Sequence, residues 1–175
     1  MRDVLLVVDI LDDFGHDDGD ALLASLRERA RYVEATLTAA RRAGVPLVYA
    51  NDHHGVWDGD RRRLVAMALD GPGGALIEPL APDADDRFVV KPRYSAFDLT
   101  PLELLLRELG AERVVLLGST TEMCVAQTAI DARERDLKVT VVADACICID
   151  AAMERIALAY LERVAGVQVA RSPFF

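Results

Sequence analysis

The apolar residues of this chain alternate between two spacings, and that alternation restricts the fold more than any other feature. Short apolar runs at residues 4–8, 45–50, 88–90, 113–117, 139–142 and 167–169 are separated by stretches in which apolar side chains recur at steps of three and four. A continuous run describes a strand buried on both faces, and the three-to-four step describes a helix covering one of them. Leu22, Leu26, Ala30, Val33, Leu37 and Ala40 form the clearest helical set, stopped by Gly44. Leu102, Leu105, Leu106 and Leu109 form a second, opened by Thr100 and Pro101 and closed by Gly110. Two further helices are predicted, over 122–135 and from Asp150 as cap to about 164. Strands alternating with helices make parallel pairs joined by right-handed crossovers. The prediction is therefore an α/β fold of three layers, α/β/α, with a doubly wound six-stranded parallel sheet in the order 3-2-1-4-5-6. Between Asn51 and Pro82 the periodicity fails, apart from a helical piece near 61–69 before Gly71, Gly73 and Gly74, so loop and lid are expected there. With 175 residues, the whole chain, 1–175, reads as a single domain.

Charge narrows the range of partners. Twenty Lys and Arg against twenty-nine Asp and Glu leave −9, which repels a phosphate backbone, and Arg61, Arg62 and Arg63 are an isolated triplet. Nucleic acid is not an expected partner. No apolar run approaches a membrane span, and the first run meets Asp9 too early for a signal peptide, so a soluble cytoplasmic protein with no membrane partner is expected. Three cysteines give neither a disulfide framework nor the paired spacing of a zinc site. Ala151, Ile156, Ala159 and Tyr160 add more apolar surface to the last helix than the sheet needs, which predicts a homo-oligomer, a dimer or tetramer.

Ligands of an open parallel sheet bind beyond the carboxyl ends of its strands, near the point where the winding reverses. Strand one ends in Asp9, strand three in Lys91, and strand four leads through Gly118 to Cys124. Each has an ordinary reading: a carboxylate capping a loop, a surface lysine, a small buried thiol. Their arrival at one rim has a chemical one, because a thiol nucleophile needs a base and the resulting charges need a cation. Cys124 also falls at the first turn of its predicted helix, where free backbone N–H groups favour a thiolate.

The strings VVDILDDF at 7–14, KPRYSAF at 91–97 and GSTTEMCVAQTAIDARERDLKVTVVADAC at 118–146 resemble, in order and distance, the isochorismatase-like cysteine hydrolases, which include nicotinamidases and other amide hydrolases. The resemblance spans nearly the whole chain and is most specific from Gly118 through Cys124 to Ala132 and Asp144. It implies an Asp9, Lys91 and Cys124 triad, with Cys124 as nucleophile and Asp9 as base. It also implies a cis peptide between Ser119 and Thr120, which would aim the N–H of Thr120, with that of Cys124, at a developing oxyanion. A small-molecule C–N bond would then be cleaved through a thioester.

Two departures bear on substrate. Many family members carry Gln-Asn after the first Asp, where this chain has Leu11 and Asp12 following Ile10. Nicotinamidases resemble one another in a metal cluster of Asp and two His, whereas this chain offers only Asp52, His53 and His54, adjacent residues that point different ways along an extended loop. A polar loop is the expectation there, with no metal and no cofactor. The run from Asn51 to Trp57 instead resembles a metal-free branch, and Phe14, Trp57, Tyr94, Phe97 and Met123 are the candidate substrate-lining residues, with Arg93 placed to grip a carboxylate. Two rivals stay open: a vinyl ether hydrolase of the same fold, for which the thiol is dispensable, and a non-catalytic small-molecule-binding member. Phosphotransfer of the Asp-x-Asp kind fails, since Asp9 and Asp12 are a residue too far apart, and no glycine-rich loop follows strand one.

Overall fold

In the computed structural model, which describes residues 1–175, six strands pair in parallel in the predicted order, β3-β2-β1-β4-β5-β6. They are β1 (Asp3–Val8), β2 (Leu47–Asp52), β3 (Arg87–Lys91), β4 (Arg113–Ser119), β5 (Lys138–Ile147) and β6 (Gln168–Ala170). Helices α1 (Gly19–Arg42), α2 (Arg61–Asp70), α3 (Gly74–Ile77), α4 (Leu102–Glu108), α5 (Ala126–Glu134) and α6 (Ala151–Arg163) cover the two faces. No helix is long and apolar enough to cross a membrane.

The period of two along each strand sorts its side chains between two cores. Leu5 and Val7 of β1 meet Leu22, Leu26, Val33 and Leu37 of α1, whereas Val4, Leu6 and Val8 meet Leu102 and Leu106 of α4 and Ala129 of α5. The helical piece expected near 61–69 is α2, and the rest of the stretch expected as loop and lid adds α3; together they contribute Leu64, Ala68, Ile77 and Leu80 to the first core, and the Tyr49 hydroxyl donates to the Leu80 carbonyl at 2.9 Å. The glycines at 71, 73 and 74 leave the piece after α2 too short to show a helical period. Of the surplus apolar residues on α6, Ala151, Ile156 and Tyr160 are exposed and Ala159 is half-buried.

β1 and β4 come into close contact at Gly118. Its φ is +125°, and a Cβ there would lie 1.9 Å from the Val8 carbonyl oxygen, backbone that has no room to yield. The register between β4 and β5 shifts between Leu116 and Gly118, after which β5 continues to pair Cys146 and Ile147 with Gly118 and Ser119. Gly118→Ala is expected to cost more than about 2 kcal/mol, read as a lowered urea midpoint. A midpoint equal to wild type would show that the two strands part more easily than this contact implies.

Candidate active site

Three strand ends supply the central groups. Asp9 follows β1 in a left-handed conformation, φ +45°, which aspartate tolerates better than most residues, and its N–H donates to the Ala50 carbonyl at 2.9 Å. Asp9 Oδ1 accepts the Asp52 N–H at 2.6 Å, while Oδ2 lies 2.7 Å from Lys91 Nζ. Lys91 stands in register with Asp52 at the end of edge strand β3, so the carboxylate reaches across the end of β2 to meet an amine from two strands away. The Lys91 side chain is 1% exposed, donates to the Arg93 carbonyl at 2.9 Å and lies 3.6 Å from Cys124 Sγ. Asn51, read in sequence only as part of an Asn-Asp pair, is 1% exposed and clamps Leu11 through both its backbone groups, at 2.9 and 3.0 Å. An amide therefore still steadies the loop after Asp9, supplied from β2.

Cys124 belongs to a wide turn, Thr121–Val125, between β4 and α5, rather than to the first turn of a regular helix. The turn is wound by the Thr120 carbonyl, which accepts from Met123 at 3.2 Å and Val125 at 3.0 Å, the second bond spanning five residues. The Ser119–Thr120 peptide is cis, and the Thr120 N–H donates to no acceptor within the chain.

Burial and charge act together on these groups. Burial pushes the Cys124 thiol up to about 12, and the adjacent Asp9 charge adds to that shift against the opposing pull of Lys91. At neutral pH the resting sulfur therefore keeps its proton, whatever the dipole of α5 contributes. Burial likewise raises Asp9 above the ordinary carboxylate range, although Lys91 works against it, which makes this carboxylate a stronger base than one in water. Burial alone would lower Lys91, but the charge of Asp9 and its hydrogen bond to the amine outweigh it and hold the amine protonated.

The remaining expected residues divide. Phe14 packs over Gly73 against the first core, where a Cβ would sit 2.3 Å from its ring. Phe97 is buried in the second core beneath the Arg135 guanidinium, 4.6 Å from the ring centroid, and also lines the cleft that holds Arg93 and Tyr94. Trp57 is 74% exposed and stacked on His53 with centroids 3.9 Å apart, so it walls no enclosed cavity. Tyr94 is 55% exposed beside Arg93 in an open cleft of about 460 Å³ that continues along Gln127 and Asp131 of α5, and Met123 is half-buried in the nucleophile turn. Arg93 makes no ion pair with any carboxylate. A metal does not fit the loop after β2. His53 Nδ1 accepts from the Gly55 N–H at 2.9 Å, Asp52 Oδ1 accepts from the His54 N–H at 2.9 Å, and no three His, Cys, Asp or Glu side chains converge anywhere.

Residues 3–172 match the family described as Isochorismatase domain. The chain belongs to the isochorismatase family. Within this family it is 32% identical over 143 residues to the family protein YaaI of Bacillus subtilis, covering 82% of this chain and 78% of that one. It is 30% identical over 172 residues to ureidoacrylate amidohydrolase RutB of Methylorubrum extorquens, covering 81% of this chain and 68% of the other. Among solved structures it resembles N-carbamoylsarcosine amidase from Thermoplasma acidophilum, with a TM-score of 0.77, 32% identity, and 100% and 99% of the two chains covered. This isochorismatase-family chain is thus a hydrolase of the same three-layer architecture as those relatives.

Proposed function

We propose that this isochorismatase-family protein hydrolyses the C–N bond of a small amide with Cys124 as nucleophile, Asp9 as base and Lys91 as the cation between them. The convergence of a carboxylate, an amine and a thiol from the ends of β1, β3 and the turn after β4 carries the reading, with Lys91 Nζ 2.7 Å from Asp9 and 3.6 Å from Cys124. Two relatives named as an amidohydrolase and an amidase support it. In the proposed sequence, Asp9 takes the thiol proton as Sγ attacks the amide carbon, and the unpaired Thr120 N–H, with that of Cys124, receives the oxyanion. The adduct collapses, the C–N bond breaks, and Asp9 returns its proton to the leaving nitrogen. Water then adds to the thioester while Asp9 takes its proton; the C–S bond breaks, and the sulfur recovers a proton from Asp9. Lys91 stays protonated throughout, which spares the site two adjacent uncompensated negative charges. No metal enters the sequence.

Wild-type protein is expected to release ammonia from at least one member of a panel of nicotinamide, N-carbamoyl compounds and oxamate-like acids. Silence across that panel would favour the vinyl ether or non-catalytic readings. The pH profile follows from the Asp9 shift. Protonation removes the base, so kcat/KM should fall with unit slope as acidity rises, about a midpoint above the ordinary aspartate value of roughly 3.9. An acid limb at or below that value would exclude Asp9 as the base.

A further inference from the structure

The turn that presents Cys124 is tied to a partly buried chain of charged groups that the chemistry above does not use. Glu154 projects from the first turns of α6 into the interior, where it is 6% exposed. Arg29 of α1 grips it at both oxygens, Nη1 to Oε1 at 2.5 Å and Nη2 to Oε2 at 2.8 Å, and also donates to the Cys146 carbonyl at 2.6 Å. Glu154 Oε1 accepts a second bond, 2.8 Å long, from the hydroxyl of Thr121, the first residue of the nucleophile turn. That hydroxyl has one hydrogen and two acceptors in reach, the other being the Ile147 carbonyl at 3.2 Å. The shorter, charge-assisted bond to the carboxylate is the stronger. Burial disfavours the Glu154 charge, but the bonds from Arg29 and Thr121 more than offset it and keep the group ionised. The next residue of the turn is held from the same side, since Glu122 Oε1 accepts the N–H groups of Ile149 at 2.8 Å and Asp150 at 3.1 Å.

These bonds all lie on the side of the turn that faces β5 and α6, whereas Asp9 and Lys91 reach Cys124 from β1 and β3. The sulfur is thus placed by two independent supports, the reacting groups and this clamp. We propose that Glu154, oriented by Arg29, is a positioning residue that acts through the Thr121 hydroxyl to hold the turn where Cys124 Sγ meets Asp9 and Lys91. It touches no substrate. A loosened turn lets the thiol leave its base without changing what binds, so the loss should appear in kcat and not in KM.

The inference rests on Cys124 being the reactive group, and Thr121→Val tests it, because valine matches threonine in shape and leaves the Arg29 and Glu154 pair whole. Expected for Thr121→Val are a kcat at least tenfold below wild type with KM within threefold, and alkylation of Cys124 by iodoacetamide at pH 7 at least fivefold faster, read by peptide mass spectrometry, because a thiol released from burial and from the Asp9 charge ionises more readily. Thr121→Ser, which restores the hydroxyl, should return both rates most of the way to wild type. Wild-type kcat and alkylation in Thr121→Val would overturn the proposal, as would a serine variant no better than the valine one. Glu154→Gln should lie between wild type and Thr121→Val in both rates if it folds; the threonine variants decide the matter if it does not. Alkylation needs no substrate, so a protein inactive on every amide would sink the amidase reading while leaving the positioning test intact.

Discussion

Lys91→Met is expected to lose activity and about 3–5 kcal/mol of stability together, because it strips the partner from a carboxylate that stays buried. In the native protein Asp9 has Lys91 Nζ at 2.7 Å and the Asp52 N–H at 2.6 Å; the substitution removes the first, the only cation of the set. The sign of the pH dependence follows. Without the amine, the Asp9 pKa in the folded chain rises further above its unfolded value, so its cost is absent when the group is protonated and grows as pH rises through that folded value. The stability deficit, measured by urea unfolding, should therefore shrink as pH is lowered toward the ordinary aspartate value of roughly 3.9. Asp9→Leu combined with Lys91→Met should recover much of the loss while remaining inactive. A Lys91→Met protein within about 1 kcal/mol of wild type at pH 7 would mean that water reaches Asp9 far more freely than the packing indicates.

Cys124→Ala is expected to reduce ammonia release by about 10⁴-fold or more, since no other group in the site can form the covalent intermediate. Stability should change by less than about 1 kcal/mol, because the residue is small and half-buried. The two outcomes together separate chemistry from folding, which the lysine variant does not. Hydrolysis that survived this substitution would point to a reaction without a thioester, as in the vinyl ether reading.

The strand order was legible because it depends on coarse information: six buried runs, helical spacing between them, and the fixed hand of the crossovers. What the sequence concealed depends on register and close approach. β5 was expected to stop near residue 142 because Ala143 and Asp144 interrupt its β-branched run, yet pairing resumes at Cys146 once the register shifts. β2 begins at Leu47 and extends to Asp52, two residues later at each end than its apolar run, because Asn51 and Asp52 continue the ladder opposite Val90 and Lys91. At the site, sequence supplied the three strand-end groups but not how an edge strand could reach the centre. That answer lies in the left-handed turn at Asp9 and its bond to Asp52, neither of which leaves a periodic trace. Aromatic character alone does not distinguish a ring over a ligand from one packed, like that of Phe14, over Gly73. Glu154 did leave a signal. It is spaced four and seven residues before Leu158 and Leu161, in the apolar phase of α6, and a carboxylate in that phase requires a cation in contact with it, such as Arg29.

The exposed indole of Trp57 gives the protein an optical property of its own. It is the only tryptophan in the chain, so all the emission excited near the red edge of protein absorbance comes from one loop, directly after the strand whose last residue bonds to Asp9. A ligand that covers this ring removes it from water and shifts its emission to shorter wavelength, while one bound deep beside Cys124 leaves the spectrum unchanged. Titration with a fluorimeter therefore distinguishes a capped complex from an open one without a label.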